Sequence, residues 1–485
     1  MNLKEKVFSG VRWTFSGTLL VTLIQLLQNI ILARILMPED FGVMAMILVF
    51  LGFIFPVFEL GLSAAIIQEE KISNNQLSTL YWLNIALGIL TYAITYVSAP
   101  IADYFFDTDR LHHYIRIVGL VFIISSFGVQ FSALLSKNLN FSALNKISVS
   151  SYLIAAIVAV GLALAEHGVY ALIFGYLSQR FIQTILNIIL GRSYHIPSAK
   201  FRIGEVKDLI RFGVFQSGAT LVNFLSANVD KILIGRILGT HALGLYTLIW
   251  NLVLTPMYKL NPIVTKVGFP VFSKIKNDIQ AVNKYYSNAL FFIMAINFPI
   301  LLFIGLNPDL TILLLYGDQW LEATTVLSLL CVVGFLKSVA NPGGSVLLSQ
   351  GRSDLLFYWN LFWTLSITII LVTSLWIKDS LEMVAIGHLV AGILIGLIWH
   401  VIVSKYGFIH YYPIIKKALL LISFVIPGWI LIWIINVINL ENEMVALAYK
   451  LISGVLLYII FFRILFNDKL QIIKELFKNA RYSRL

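Results

Sequence analysis

The chain has 485 residues, of which 59% are hydrophobic and only 12% charged, and its mean hydropathy is +0.88. Too few polar side chains remain to coat a water-soluble globule of this size, so lipid must be the solvent for most of the surface. The net charge of +11 does not indicate nucleic acid, because the basic residues are scattered between apolar stretches, and the single cysteine, Cys331, excludes a disulfide framework or a cysteine-rich metal site.

Windows of roughly twenty apolar residues mark the spans. They fall near 13–36, 41–66, 78–99, 115–136, 147–165, 169–190, 212–238, 242–267, 286–306, 323–349, 355–377, 382–403, 414–438 and 444–466. The fold class expected is therefore all-α, a polytopic membrane protein with about fourteen transmembrane helices. Lys4, Lys6 and Arg12 precede an apolar stretch that runs through Leu36 without a small-residue cleavage site, which reads as an uncleaved first helix. The longest polar connections, Arg192 to Arg211 and Phe272 to Tyr285, are too small for a catalytic domain.

Lysine and arginine fix the expected orientation. One set of connections holds Lys71, Lys137, Lys146, the Arg192 to Arg211 segment, Lys274 to Lys284, Arg352, Lys405 to Lys417 and the tail from Lys469. The opposite set holds mainly Arg34, Arg110, Arg116, Arg236 and Lys378, beside Asp103, Asp107, Asp309, Asp318, Glu441 and Glu443. About two dozen positive charges against about five puts both termini in the cytoplasm. The last segment, 467–485, sets Leu470, Ile473 and Phe477 on one helical face and is expected to lie on the anionic leaflet.

An internal repeat organises the chain. Leu32 to Leu36 reads LARIL and Ile234 to Leu238 reads IGRIL; each is followed at the same interval by a glycine, Gly42 and Gly244, a shift of about 202 residues. Leu134-Leu135-Ser136 is echoed by Leu347-Leu348-Ser349. The expected domains are a six-helix bundle at 1–200, a second at 201–405, two further helices at 406–466 and the tail. Six being even, the repeats are parallel, about an axis along the membrane normal.

Asn228-x-Asp230-Lys231-Ile232-Leu233-Ile234-Gly235-Arg236-Ile237-Leu238-Gly239, followed by Ala242-Leu243-Gly244-Leu245-Tyr246, resembles the start of the second half of bacterial polysaccharide exporters. Glu59 to Gln68 and Leu348-Ser349-Gln350-Gly351-Arg352 are similar to them too. These exporters are a branch of the multidrug/oligosaccharidyl-lipid/polysaccharide flippase superfamily that includes the O-antigen and colanic-acid type flippases. The resemblance implies a MATE-like fold. It also implies alternating-access transport of an undecaprenyl-pyrophosphate-linked oligosaccharide across the bacterial inner membrane, for lipopolysaccharide or exopolysaccharide synthesis, beside other polysaccharide-assembly membrane proteins. A cation-coupled multidrug antiporter of the same superfamily is the alternative reading, and a membrane glycan polymerase the third. No enzymatic activity and no cofactor is expected.

Cations inside a span are expensive and so mark function. Lys231, Lys259 and Lys337 meet that description, with snorkelling to an interface as the ordinary alternative. In the first span Thr14, Thr18, Thr22, Gln25 and Asn29 follow three- and four-residue steps, which places Gln25 and Asn29 toward a polar cavity unless they only bond neighbouring helices. Arg34 and Arg236 stand at equivalent outer ends, as an exit site for an anionic head or as interfacial anchors. Glu59 and Asp230 are the carboxylates through which a proton or sodium gradient would couple, Asp230 otherwise serving as a counter-ion. Pro256, Pro262 and Asn341-Pro342-Gly343-Gly344 point to broken or moving helices. His112-His113 lacks further ligands at metal spacing, and no phosphate-cradling glycine loop occurs.

Overall fold

The computed structural model describes residues 3–340 and 342–424, followed by 427, 428, 430, 449, 452–454, 456–460 and 463; the side chains of 3–15, 219, 258–267, 269 and 270 are not among those described. Among the described residues every regular element is a helix: α1 (Leu3–Ile35), α2 (Pro38–Glu59), α3 (Leu62–Gln68), α4 (Asn74–Phe106), α5 (Leu111–Ser126), α6 (Val129–Lys137), α7 (Phe141–Leu164), α8 (Val169–Gly191), α9 (Lys207–Ile237) and α10 (Gly239–Ile275). Then follow α11 (Ile279–Leu306), α12 (Pro308–Leu315), α13 (Thr324–Ala340), α14 (Gly343–Ser349), α15 (Ser353–Ile377), α16 (Leu381–Gly407) and α17 (Tyr412–Ile422), with short 3-10 turns at Ile203–Val206 and Asp318–Ala323. The spans read near 414–438 and 444–466, and the tail, lie largely outside the described residues.

Eight described helices are long and apolar enough to cross a membrane, or nine if α5 and α6 form one span bent by 47°. Helices α8, α9 and α10, of 23, 31 and 37 residues, are not among these candidate spans of the described residues. These are also the helices that carry Arg180, Lys231 and Lys259. Large apolar side chains are widely exposed, Trp376 at 88% and Val97 at 78% among them. Such a surface is at home in hydrocarbon.

Caps explain why several helices outrun the expected spans. Ser73 and Gln76 form a reciprocal box, the Gln76 N–H donating to Ser73 Oγ at 3.1 Å and the Ser73 N–H to Gln76 Oε1 at 2.9 Å, so α4 begins before residue 78. Asp278 accepts from the Ala281 N–H at 2.9 Å and starts α11 early. The polar stretch from Phe272 to Tyr285 is consequently almost all helix. In the other polar connection, Trp82 Nε1 donates to the Ser198 carbonyl at 2.9 Å, the Arg202 N–H to Thr79 Oγ1 at 3.0 Å, and Gln76 Nε2 to the Glu205 carbonyl at 2.9 Å. The segment is strapped along α4. His195 is packed against Ser78 in this strap, and burial lowers its pKa below the ordinary imidazole value.

Three expected spans are broken. The one read at 41–66 divides at Leu60 and Gly61, both left-handed with φ of 38° and 56°. A Cβ on Gly213 would stand 1.9 Å from the Leu60 carbonyl oxygen, so α9 approaches the corner backbone to backbone. The span read at 115–136 divides at Phe127–Gly128, where a Cβ on Gly128 would meet the Thr184 Cα at 2.9 Å. The span read at 323–349 holds two described helices, α13 ending at Ala340 and α14 beginning at Gly343, and Trp399 Nε1 donates to the Ala340 carbonyl at 2.8 Å. Both of these last breaks precede the repeated Leu-Leu-Ser.

The chain forms two compact units: Met1–Asn251 with Leu315–Ala323 and Asn360–Gly387, and Leu252–Leu314 with Thr324–Trp359 and His388–Leu485. In the first, Leu62, Ile66, Leu80, Leu134 and Val206 pack one buried cluster and Leu32, Leu36, Ala159, Ala163 and Ala171 another. In the second, Phe272, Tyr286, Leu290, Met294, Val346 and Trp399 belong to a larger one.

Candidate functional site

Two features of the first unit carry polar chemistry. One is the corner where α1 turns into α2 and α9 into α10. A Cβ on Gly42 would stand 1.8 Å from the Thr240 carbonyl oxygen, and a Cβ on Gly244 would stand 1.8 Å from the Pro38 carbonyl oxygen. The repeat relates Gly42 to Gly244 and Pro38 to Thr240, so each repeat lays its glycine on the other's carbonyl. A two-fold relation produces such reciprocity. Beside it lies the equivalent pair Glu39 and His241, with Glu39 Oε1 2.7 Å from His241 Nδ1 and Glu322 Oε2 3.0 Å from His241 Nε2.

Burial alone would lower the His241 pKa, but the hydrogen bonds to Glu39 and Glu322 and their charges outweigh it and raise the pKa above the ordinary value. Unfolded, the ring titrates near about 6.5. A group with a raised folded pKa contributes its full stability below the unfolded value and loses it as pH rises through the folded one. The thermal midpoint of wild type should therefore exceed that of His241→Gln at about pH 5.5, and the gap should close by about pH 9. A gap that widens with pH would show that the pair does not hold this corner.

The second feature is a partly open cavity of about 210 Å³ lined by α2, α5, α6 and α8. Arg180, Gln183, Thr184 and Asn187 line it from α8, at the three- and four-residue spacing that puts them on one helix face. Glu59, Ser125 and Ser132 add polar groups, while Phe55, Phe58, Phe122 and Tyr176 supply rings. Arg180 stands midway along its helix, its guanidinium 5.3 Å from the Tyr176 ring centre. Arg180 Nε and Asn187 Oδ1 have no hydrogen-bond partner, and nearby Gln130, fully buried on α6, bonds through neither amide atom. Buried polar groups are rarely left so; Arg180 and Asn187 belong to the cavity lining, and their unpartnered atoms lie beneath its accessible surface.

Of the residues named from the sequence, this cavity collects Glu59 alone. Asp230, 4% exposed, accepts from the Tyr246 hydroxyl at 2.6 Å and from the Lys231 N–H at 2.8 Å, clasping α9 to α10. Lys231 Nζ donates to Asn228 Oδ1 at 3.0 Å. Arg34 and Arg236 are exposed in the last turns of α1 and α9, reaching the Leu315 carbonyl at 3.4 Å and the Tyr104 carbonyl at 3.2 Å. Gln25 and Asn29 are half-buried on α1, and Lys337 is half-buried in the last turn of α13, in the second unit. The Lys259 side chain lies outside the described residues. Arg180 was passed over, although the rule that singled out the lysines, a cation within a span, applies to it equally. Among the described residues no group of three or more His, Cys, Asp or Glu could hold a metal.

Residues 31–325 match the family described as "Polysaccharide biosynthesis protein". The chain is 35% identical over 363 residues to the teichuronic acid biosynthesis protein TuaB of Bacillus subtilis (strain 168), covering 74% of each chain. It is 34% identical over 364 residues to the lipopolysaccharide biosynthesis protein WzxC of Escherichia coli (strain K12), covering 75% of this chain and 74% of that one. The structure of the lipid II flippase MurJ in an inward closed conformation superposes with a TM-score of 0.76 at 16% identity, over 94% of this chain and 99% of that one. That last likeness is one of fold.

Proposed function

The chain belongs to the polysaccharide biosynthesis protein family, and from that premise we propose that it flips an undecaprenyl-pyrophosphate-linked oligosaccharide across the bacterial inner membrane by alternating access. The observation that carries the reading is the cavity of the first unit, lined by a mid-helix arginine and by Gln183, Thr184 and Asn187 of the same helix within otherwise apolar spans. An arginine at a helix centre costs about 2.5–3.5 kcal/mol on insertion scales. A polar headgroup that must cross hydrocarbon is what such an outlay provides for, while the lipid tail stays in the bilayer. Lys231, Lys259 and Lys337 are further cations within helices and are assigned to the pyrophosphate; Arg34 and Arg236 serve as anchors at helix ends. Glu59, in the cavity, is the carboxylate that couples to a proton or sodium gradient, whereas Asp230 is committed to Tyr246.

A cation-coupled drug antiporter is the second reading. A site for cationic drugs needs carboxylates without competing cations, and Glu59 shares its cavity with Arg180. A polymerase would need an aqueous catalytic loop; the longest non-helical connection among the described residues, after Gly191, is strapped to α4. Proteoliposomes loaded with a labelled lipid-linked oligosaccharide should show its transfer between leaflets, with a dye-efflux assay in the same preparation flat. Dye efflux without sugar-lipid movement would refute the flippase reading.

Orientation follows from the basic connections, both termini being assigned to the cytoplasm. Reporters fused after Ser198 and after Phe408 should read cytoplasm, and those after Asp107 and Asp318 the outer side. Consistent inversion would reverse the proposed direction of transport.

A further inference from the structure

We infer that the cavity between α2, α5, α6 and α8 is a subsite for one sugar ring of the carried glycan, distinct in chemistry from a phosphate site; the inference rests on the transport reading above. Its size comes first. A volume of about 210 Å³ is about seven times the share of one liquid water, ~30 Å³, so it exceeds a bridging-water site. It falls short of the roughly 300–1,000 Å³ of pockets for drug-sized ligands. One pyranose-sized polar ring fits that interval, and an extended drug cation does not.

The lining selects among small polar ligands. A pyrophosphate only accepts hydrogen bonds and repels carboxylates, so its site calls for donors throughout. Here ionised Glu59 contributes acceptors, Arg180 donors only, and Gln183, Asn187, Ser125 and Ser132 both. Sugar hydroxyls donate and accept, and a mixed wall of this kind satisfies both.

The lining also carries aromatic rings. Phe58 and Phe122 are buried at 3% and 1% exposure, their ring centres 5.5 Å apart at 49°, and Tyr176 lies beside Arg180. A pyranose has C–H faces as well as a hydroxyl rim, and ring faces are the matching apolar surface.

Affinity measurements on the purified full-length protein test this with two probes: lipid-linked repeat units extracted from the producing cells, and undecaprenyl pyrophosphate carrying no glycan. Wild type should bind the glycosylated lipid more tightly. In Asn187→Leu and Gln183→Leu that preference should fall about tenfold, with undecaprenyl pyrophosphate affinity kept within about twofold; retained binding of the bare lipid shows that the variants are folded. Equal loss for both probes, or a wild type indifferent to the glycan, overturns the subsite while leaving the transport reading standing. A wild type that binds neither lipid overturns the transport reading, and the subsite with it.

Discussion

Replacing Gly42 or Gly244 by valine is expected to reduce the folded protein in membranes, and the surface polymer with it, to below about a tenth of wild type. In each case the new Cβ would sit 1.8 Å from a main-chain carbonyl oxygen across the corner, Thr240 in one and Pro38 in the other. Overpacking among flexible side chains typically costs about 1–3 kcal/mol. Here the obstacle is backbone, which cannot swing aside, and the whole stability of a domain is only about 5–15 kcal/mol. Alanine already places the offending atom, so Gly42→Ala should fail nearly as badly, whereas Gly161→Ala, with open space around it, should be neutral. Quantitative immunoblots of membranes and a polymer assay decide the matter. Normal abundance and export in both valine variants would mean that the two corners do not pack as described.

Arg180→Met is expected to remove at least about 90% of lipid-linked oligosaccharide transport without lowering thermal stability. The two effects separate because they have different sources. Methionine keeps an unbranched chain and eliminates a guanidinium whose Nε has no partner, and removing a cation from a span is favourable by up to a few kcal/mol. Transport loses the cation that faces the cavity. Arg180→Lys keeps the charge but not the planar donor fork, so it should fall between wild type and Arg180→Met. Transport in proteoliposomes and the thermal midpoint of the same preparations are the measurements. Unchanged transport, or a marked drop in midpoint, would make Arg180 a packing residue.

Both variants show where sequence reading reaches and where it stops. Helix positions and the membrane class are legible because apolar length is a local property; so is the repeat that pairs Arg34 with Arg236 and Gly42 with Gly244. That the two glycines meet each other's carbonyls is a long-range fact, invisible in either segment by itself. The left-handed break at Leu60–Gly61 was likewise read as the interior of a span, because the apolar run continues through it; the turn accompanies the close approach of Gly213 from α9. Asp230 and Lys231 are adjacent in sequence, which suggests an ion pair, yet the carboxylate takes its hydroxyl donor from Tyr246 on the next helix. Most telling is α8. Its four polar residues at helical spacing and its central arginine were on the page, but periodicity says only that they share a face. Whether that face meets lipid, a neighbouring helix or a cavity depends on how α2, α5 and α6 pack around it, and the tertiary structure alone decided that.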